Sequence, residues 1–211
     1  MKKAAALGLS LALTASMTLP ALAVEAVPIS AVIGYDTAIT LNGKALDTSA
    51  IPAVDGENMI PLRLIAESDY GSASWFEEEN NGWFYLEGGS ITVNFADNSV
   101  TVGDELVKSK ATVVSGVTFV DAGVLELLEG YDVAAAEDGS LTITTPNGDP
   151  FVQGAYAIRE AAGVTMGMKT GMDVLVENYG VPEGALEEAV AFFPMITSPD
   201  TIILGKLAED A

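Results

Sequence analysis

The chain has no cysteine and no histidine, and only nine Lys or Arg stand against 30 Asp or Glu. Without cysteine there is neither a disulfide framework nor a lipid-modified N-terminal cysteine, so an exported form must be held by ordinary core packing. The lack of both residues removes Ser–His, Cys–His and His–zinc catalysis. Ser–Lys, threonine-based and paired-carboxylate schemes remain. A formal charge of −21 repels phosphate backbones and anionic membrane surfaces, which argues against nucleic acid as a partner. Weak association of Ca2+ with so acidic a surface is the only cation binding expected, and no cofactor is implied. Beyond the N-terminus no run is long and apolar enough to span a bilayer.

The N-terminus, MKKAAALGLSLALTASMTLPALA, places Lys2 and Lys3 before an apolar stretch that ends in an Ala21-x-Ala23 cleavage pattern. Ser10, Thr14, Ser16, Thr18 and Pro20 weaken it as a membrane anchor. The expectation is a secretory signal over residues 1–23, and a secreted or wall-associated bacterial protein.

AITLNGKAL (38–46) alternates around Asn-Gly, a strong hairpin signal, and IPAVDGENMI (51–60) does the same around Asp55-Gly56. Pro61 then opens a short helix whose Leu62, Ile65 and Ala66 share a face, with Gly71 as its stop. SWF (74–76), the acidic turn EEENNG (77–82) and WFYL (83–86) follow as strand, turn and strand. The order then recurs. Val100–Asp104 echoes Ile39–Gly43, VVSGVTFVD (113–121) echoes AVDGENMIP (53–61), LELLEG echoes LIAESDYG, and LTIT (141–144) echoes WFYL. Asp121 is placed to cap the second short helix, Val124–Leu128, and Asp138-Gly139 to turn its last hairpin. The pattern predicts two ββαββ-like units over about 30–90 and 91–145, together one β-rich domain.

TPNGDP (145–150) reads as a break, with a linker over 146–150. Beyond it, spacing predicts helices near 151–162, 171–179 and 183–193, the last opened by Pro182-Glu183 and closed by Pro194. TIILGKL (201–207) reads as a buried strand with no evident partner in the segment. A helix-rich α+β domain over 151–211 is expected, with the chain ending early at Ala211 or the strand joining the first domain's sheet. The fold class is therefore α+β.

IPxVDGxxMIPLRLIAE with Gly71, Trp75 and the upstream LNGKAL hairpin resembles the copper amine oxidase-like N-terminal domain, also called the stalk domain. That domain occurs in exported proteins of Gram-positive-type bacteria, often as paired copies. The resemblance covers about residues 30–145, and the residues that carry it are Pro61, Leu62, Arg63, Glu67, Gly71 and Trp75. It implies a non-catalytic module; copper in such oxidases is held by histidines, which this chain lacks. The second copy departs from the pattern, with Asp121-Ala122-Gly123 where Pro61-Leu62-Arg63 stands in the first. Residues 151–211 more faintly resemble an uncharacterised domain of exported bacterial proteins, through YGVPEGALEEAVAFFPMITSPDTIILGKL.

Arg63 is a lone charge in an apolar run. A structural role, with methylenes along the core and the guanidinium on loop carbonyls or on Glu67, is favoured over a ligand contact. Among the aromatic residues, alternation in WFYL sends Trp83 and Tyr85 to one side and Phe84 and Leu86 to the other. Trp83 and Tyr85 are thus the rings that could meet a sugar, although core packing is the commoner fate. The acidic turn Glu77–Gly82 and the Asp97-Asn98 loop lack the spacing of a dedicated Ca2+ loop. Ser109 lies between Lys108 and Lys110, which face the other way in a strand. Met166, Met168, Met172 and Met195 read as gap-fillers in a small core. The expected function is an exported, non-enzymatic module that spaces, docks or binds a wall component or partner protein. The alternative is a carboxylate-based hydrolase of wall polymers, betrayed by two facing acids in a cleft beside exposed rings.

Overall fold

A computed structural model describes residues 34–164, 168–193 and 201–209. The expected signal segment, Met166 and Met195 lie outside them. With 41% strand and 22% helix the chain is a β-rich α+β protein.

The first hairpin joins β1 (Ile39–Leu41) to β2 (Lys44–Ala45). Asn42 and Gly43 take φ of 50° and 80°, the paired positive values a two-residue turn of this hand requires. β3 (Met59–Pro61) runs directly into α1 (Leu62–Ser68), so Pro61 ends the strand and occupies the N-cap instead of opening the helix. Leu62, Ile65 and Ala66 are fully buried on the predicted face. No hairpin forms over 51–60. Its second arm, β3, pairs antiparallel with β10 (Val117–Asp121), matching Ile60 with Val120, and Asp55–Asn58 is turn.

Five strands form one antiparallel meander: β4 (Ser72–Phe76), β5 (Asn81–Leu86), β6 (Gly89–Asn94), β7 (Ser99–Val102) and β8 (Glu105–Lys110). β6 has no counterpart in the expected unit. β9 (Thr112–Val114) completes a three-stranded sheet in the order β3-β10-β9. Ala122–Leu127 is a 3₁₀ helix capped by Asp121, whose Oδ1 accepts the Gly123 N–H at 2.9 Å. β11 (Asp132–Ala135) and β12 (Leu141–Thr144) follow, and a four-stranded sheet is ordered β11-β12-β1-β2 with β12 parallel to β1. One core, including Ile60, Ile65, Ile91, Val120, Leu125 and Ile143, serves all three sheets and α1.

Residues 146–150, expected as a linker, are built into the structure: Pro146–Gly148 is a 3₁₀ turn, Asn147 is buried, and Pro150 starts α2 (Pro150–Ala161). Asp149 caps α2, accepting from the Phe151 and Val152 amides. β13 (Met168–Thr170), α3 (Met172–Tyr179), β14 (Leu186–Phe193) and β15 (Ile202–Leu207) complete the chain. The helix predicted over 183–193 is instead β14, the middle strand of a three-stranded sheet. Val190 and Phe192 pack on α2, while Ala189 and Ala191 pack on Leu175 of α3. Burial on both faces overrides the helical propensity of Leu-Glu-Glu-Ala. β15 finds its partner within its own segment, pairing along β14 rather than joining the first sheets. No helix among the described residues is long and apolar enough to cross a membrane.

Candidate functional site

Strand pairing sorts the five-stranded sheet into two faces. Opposite residues share a face, and Ser74–Trp83–Thr92–Thr101 form one cross-strand row. That outer face carries Phe76, Trp83 and Tyr85. Trp83 and Tyr85 stack at a centroid distance of 6.0 Å, and Phe76 meets Trp83 edge-on at 6.1 Å. Tyr85 and Phe76 are each about two-fifths exposed, while Trp83 is half-buried between them. Phe84 and Leu86, on the other face, are buried, as the alternation of WFYL predicted. The remaining outer positions on β4 to β7 are Ser, Thr and Asn, and β8 adds Leu106, Lys108 and Lys110 by its register against β7. No strand residue on this face is a carboxylate, in a chain holding 30 of them. Ser109 points away from both neighbouring lysines, so no Ser–Lys pair arises; Lys110 donates to the Asp97 carbonyl at 3.0 Å.

Arg63 does not pin the core. Its side chain is 61% exposed, and its guanidinium lies 3.8 Å from Glu67, itself 54% exposed. An ion pair this open contributes under about 1 kcal/mol. Leu62 beside it is the residue that enters the core. Arg63 and Glu67 border a cavity of about 600 Å³ whose walls include Trp75, Phe84, Phe95, Val113 and Val117. Trp75, half exposed, packs on Phe95 at 4.8 Å. Gly71 is required by a close approach: a Cβ there would lie 2.1 Å from the Tyr85 carbonyl oxygen.

A buried polar cluster lies at the far end of α1. Asp69 is 1% exposed; Tyr131 donates to its Oδ2 at 2.6 Å and Thr145 to its Oδ1 at 2.7 Å, with Asn42 Nδ2 at 3.3 Å. Thr145 Oγ1 accepts in turn from Asn42 Nδ2 and from the Asn147 amide. Asn147 Nδ2 donates to the Asp69 carbonyl, and its Oδ1 accepts from Lys169, which also pairs with Glu87 at 3.0 Å. Burial pushes the Asp69 carboxyl above its ordinary range, with the hydrogen bonds pulling back. The Tyr131 hydroxyl is pushed upward too, by burial and then by its bond to Asp69. Tyr70, at φ 62°, stacks face to face on Tyr156 of α2, and Gln153 bonds both Tyr70 and the Asn147 carbonyl. Sequence reasoning missed this cluster. Its one local signal is that Asp69 continues the apolar stripe 62, 65, 66 at the next helical position.

Several acidic groups have structural partners. Asp69 and Glu87 border one small concavity, but Asp69 accepts from three side chains and Glu87 is paired to Lys169. Asp97 and Asp138 accept from Ser99 and Ser140, whose side chains first and amides second hold both carboxyls below the usual range. Glu77–Glu79 are exposed in their turn. Met172 packs in the small core around Leu175, as a gap-filler would. No protein family, curated protein or solved structure matches this chain.

Proposed function

We propose that the chain is a non-catalytic, exported docking module of the stalk-domain kind, and that it engages cell-wall glycan through the outer face of the five-stranded sheet. The observation that carries this reading is the row of Phe76, Trp83 and Tyr85 on a face whose other positions on β4 to β7 are hydroxyls and amides. Sugars present apolar C–H faces and equatorial hydroxyls together, so rings beside Ser, Thr and Asn match both. The absence of strand carboxylates there removes the nearest source of repulsion toward anionic wall polymers, and Lys108 and Lys110 lie at its edge, opposite the exposed Glu77–Glu79 turn.

Duplication of the scaffold belongs to the same proposal. β3 and β10 pair about Ile60 and Val120, sixty positions apart as the repeat requires. The orders β11-β12-β1-β2 and β4-β5-β6-β7-β8 correspond strand for strand if β6 is an insertion and each copy's last strands pair with the other copy's hairpin. The hydrolase alternative is disfavoured, because the acid with a raised proton affinity, Asp69, is enclosed and spoken for by three donors.

Co-sedimentation of the purified mature protein with peptidoglycan, at several salt and calcium levels, tests the docking reading. Saturable retention that falls about tenfold in Trp83→Ala and in Tyr85→Ala, a loss of about 1.4 kcal/mol each, is expected. Retention unchanged in both variants, or absent in the unaltered protein, refutes it.

A further inference from the structure

The core of the β-rich region is flanked at one end by an open concavity. Between the inner face of the five-stranded sheet and the β9–β10 hairpin lies the cavity of about 600 Å³, its walls predominantly apolar. The concavity opens to solvent past Trp75, Val113 and Arg63, all well exposed, and its volume falls in the range of small-molecule sites. Its walls suit no sugar: Trp75, Phe84, Phe95, Val113 and Val117 offer carbon surface. Two charged side chains line it, Arg63 and Glu67, both on α1 and both largely in solvent, so charge is confined to the mouth. Among the described residues the Arg63 guanidinium makes no hydrogen bond; Glu67 at 3.8 Å lies beyond hydrogen-bonding reach. A planar fork with its donors unspent is matched by a carboxylate taken in bidentate fashion.

From this arrangement we infer that the cavity is a binding site for a small amphiphile, an acyl or aryl body carrying a carboxylate, whose head group pairs with Arg63 while the body lies against Trp75 and Phe95. The site lies on the opposite side of the sheet from the proposed glycan face and is independent of it.

The chain's two tryptophans, Trp75 and Trp83, separate the two sites spectroscopically. In the full mature chain carrying Trp83→Phe, Trp75 is the sole tryptophan reporter. Dodecanoate, titrated below its micelle concentration in ~0.15 M salt so that the general negative field is screened within about 8 Å, should shift Trp75 emission saturably. Dodecanol, and dodecanoate against the further variant Arg63→Gln, should each bind about tenfold more weakly. Arg63 is exposed, so its replacement leaves the fold intact, which circular dichroism verifies. Trp75 emission unmoved by dodecanoate, or affinities within about twofold across the three titrations, overturns the assignment.

Discussion

Tyr131→Phe removes one hydroxyl and nothing else, and it does so at the most enclosed carboxylate among the described residues. The lost contact is a 2.6 Å donation to Asp69 Oδ2. Hydrogen bonds to charged groups are worth about 1.5–3 kcal/mol, and because Asp69 is 1% exposed the orphaned oxygen gains no bulk water in exchange. The upper end applies, a loss of about 3 kcal/mol. Thr145→Val removes the 2.7 Å donation to Oδ1, leaves the Asn147 amide without its acceptor and leaves Asn42 Nδ2 only its longer 3.3 Å bond to Asp69, for a similar loss of about 3 kcal/mol. Both variants weaken the same carboxylate, so the double variant should lose at least about 1 kcal/mol less than the sum. Urea unfolding followed by the emission of Trp75 and Trp83, both in the β-rich region, measures each corner of the cycle. A Tyr131→Phe loss under about 0.5 kcal/mol, or strict additivity, refutes the account of the cluster.

Three further outcomes are expected. Because burial raises the folded-state proton affinity of Asp69, its contribution to stability is full below the unfolded carboxylate value of about 3.9 and is lost as pH rises through the folded value. The stability difference between the unaltered protein and Asp69→Asn, measured by denaturant titration, should therefore fall as pH rises from about 3 to 7, and a difference that grows contradicts the assignment. Gly71→Ala drives a methyl to 2.1 Å from the Tyr85 carbonyl and 2.9 Å from that of Ala66, which should cost about 3 kcal/mol and lower the calorimetric melting temperature by several degrees; an unchanged melting temperature excludes the close approach. Amide exchange should be slowest in the C-terminal segment at Ala191 and Phe192, where β14 is paired on both sides, and exchange there faster than in α3 would contradict the central placement of β14.

What was legible in the sequence was local. The Asn42-Gly43 turn, the buried stripe of α1, the Asp121 cap and the alternation of Trp83-Phe84-Tyr85-Leu86 each follow from neighbours within a few positions. Residues 183–193 misled because Pro182 and Pro194 bracket a stretch of good helix formers. The deciding fact, that α2 and α3 cover both faces of β14, is tertiary. The Asp69 cluster was out of reach for the same reason: its partners Asn42, Tyr131 and Thr145 stand 27, 62 and 76 residues away. For Arg63 the sequence named Glu67 as its neighbour, and the pair is present, but the side chain is largely in solvent. An arginine one residue after a buried leucine on a short helix points outward by the same periodicity that buries Leu62 and Ile65.

α1 links the two ends of this description. It is seven residues long, too short to be stable alone, and its N-cap makes no side-chain hydrogen bond. Its order must come from what it packs on and from how it ends. At the C-terminal end the Gly71 amide returns to the Ala66 carbonyl and the Asp69 side chain is locked to three other segments of the chain. That lock fixes the rotation of a helix whose other face presents Arg63 and Glu67 to the cavity. A change at Tyr131 or Thr145, remote in sequence from the cavity, should therefore blur the position of Arg63. The dodecanoate titration repeated in Tyr131→Phe under conditions where that variant remains folded should show weaker binding while dodecanol binding is unchanged, because only the head group is read by the helix. Equal weakening of both ligands would mean that the cavity itself had collapsed, and the rotational lock would then be the wrong explanation.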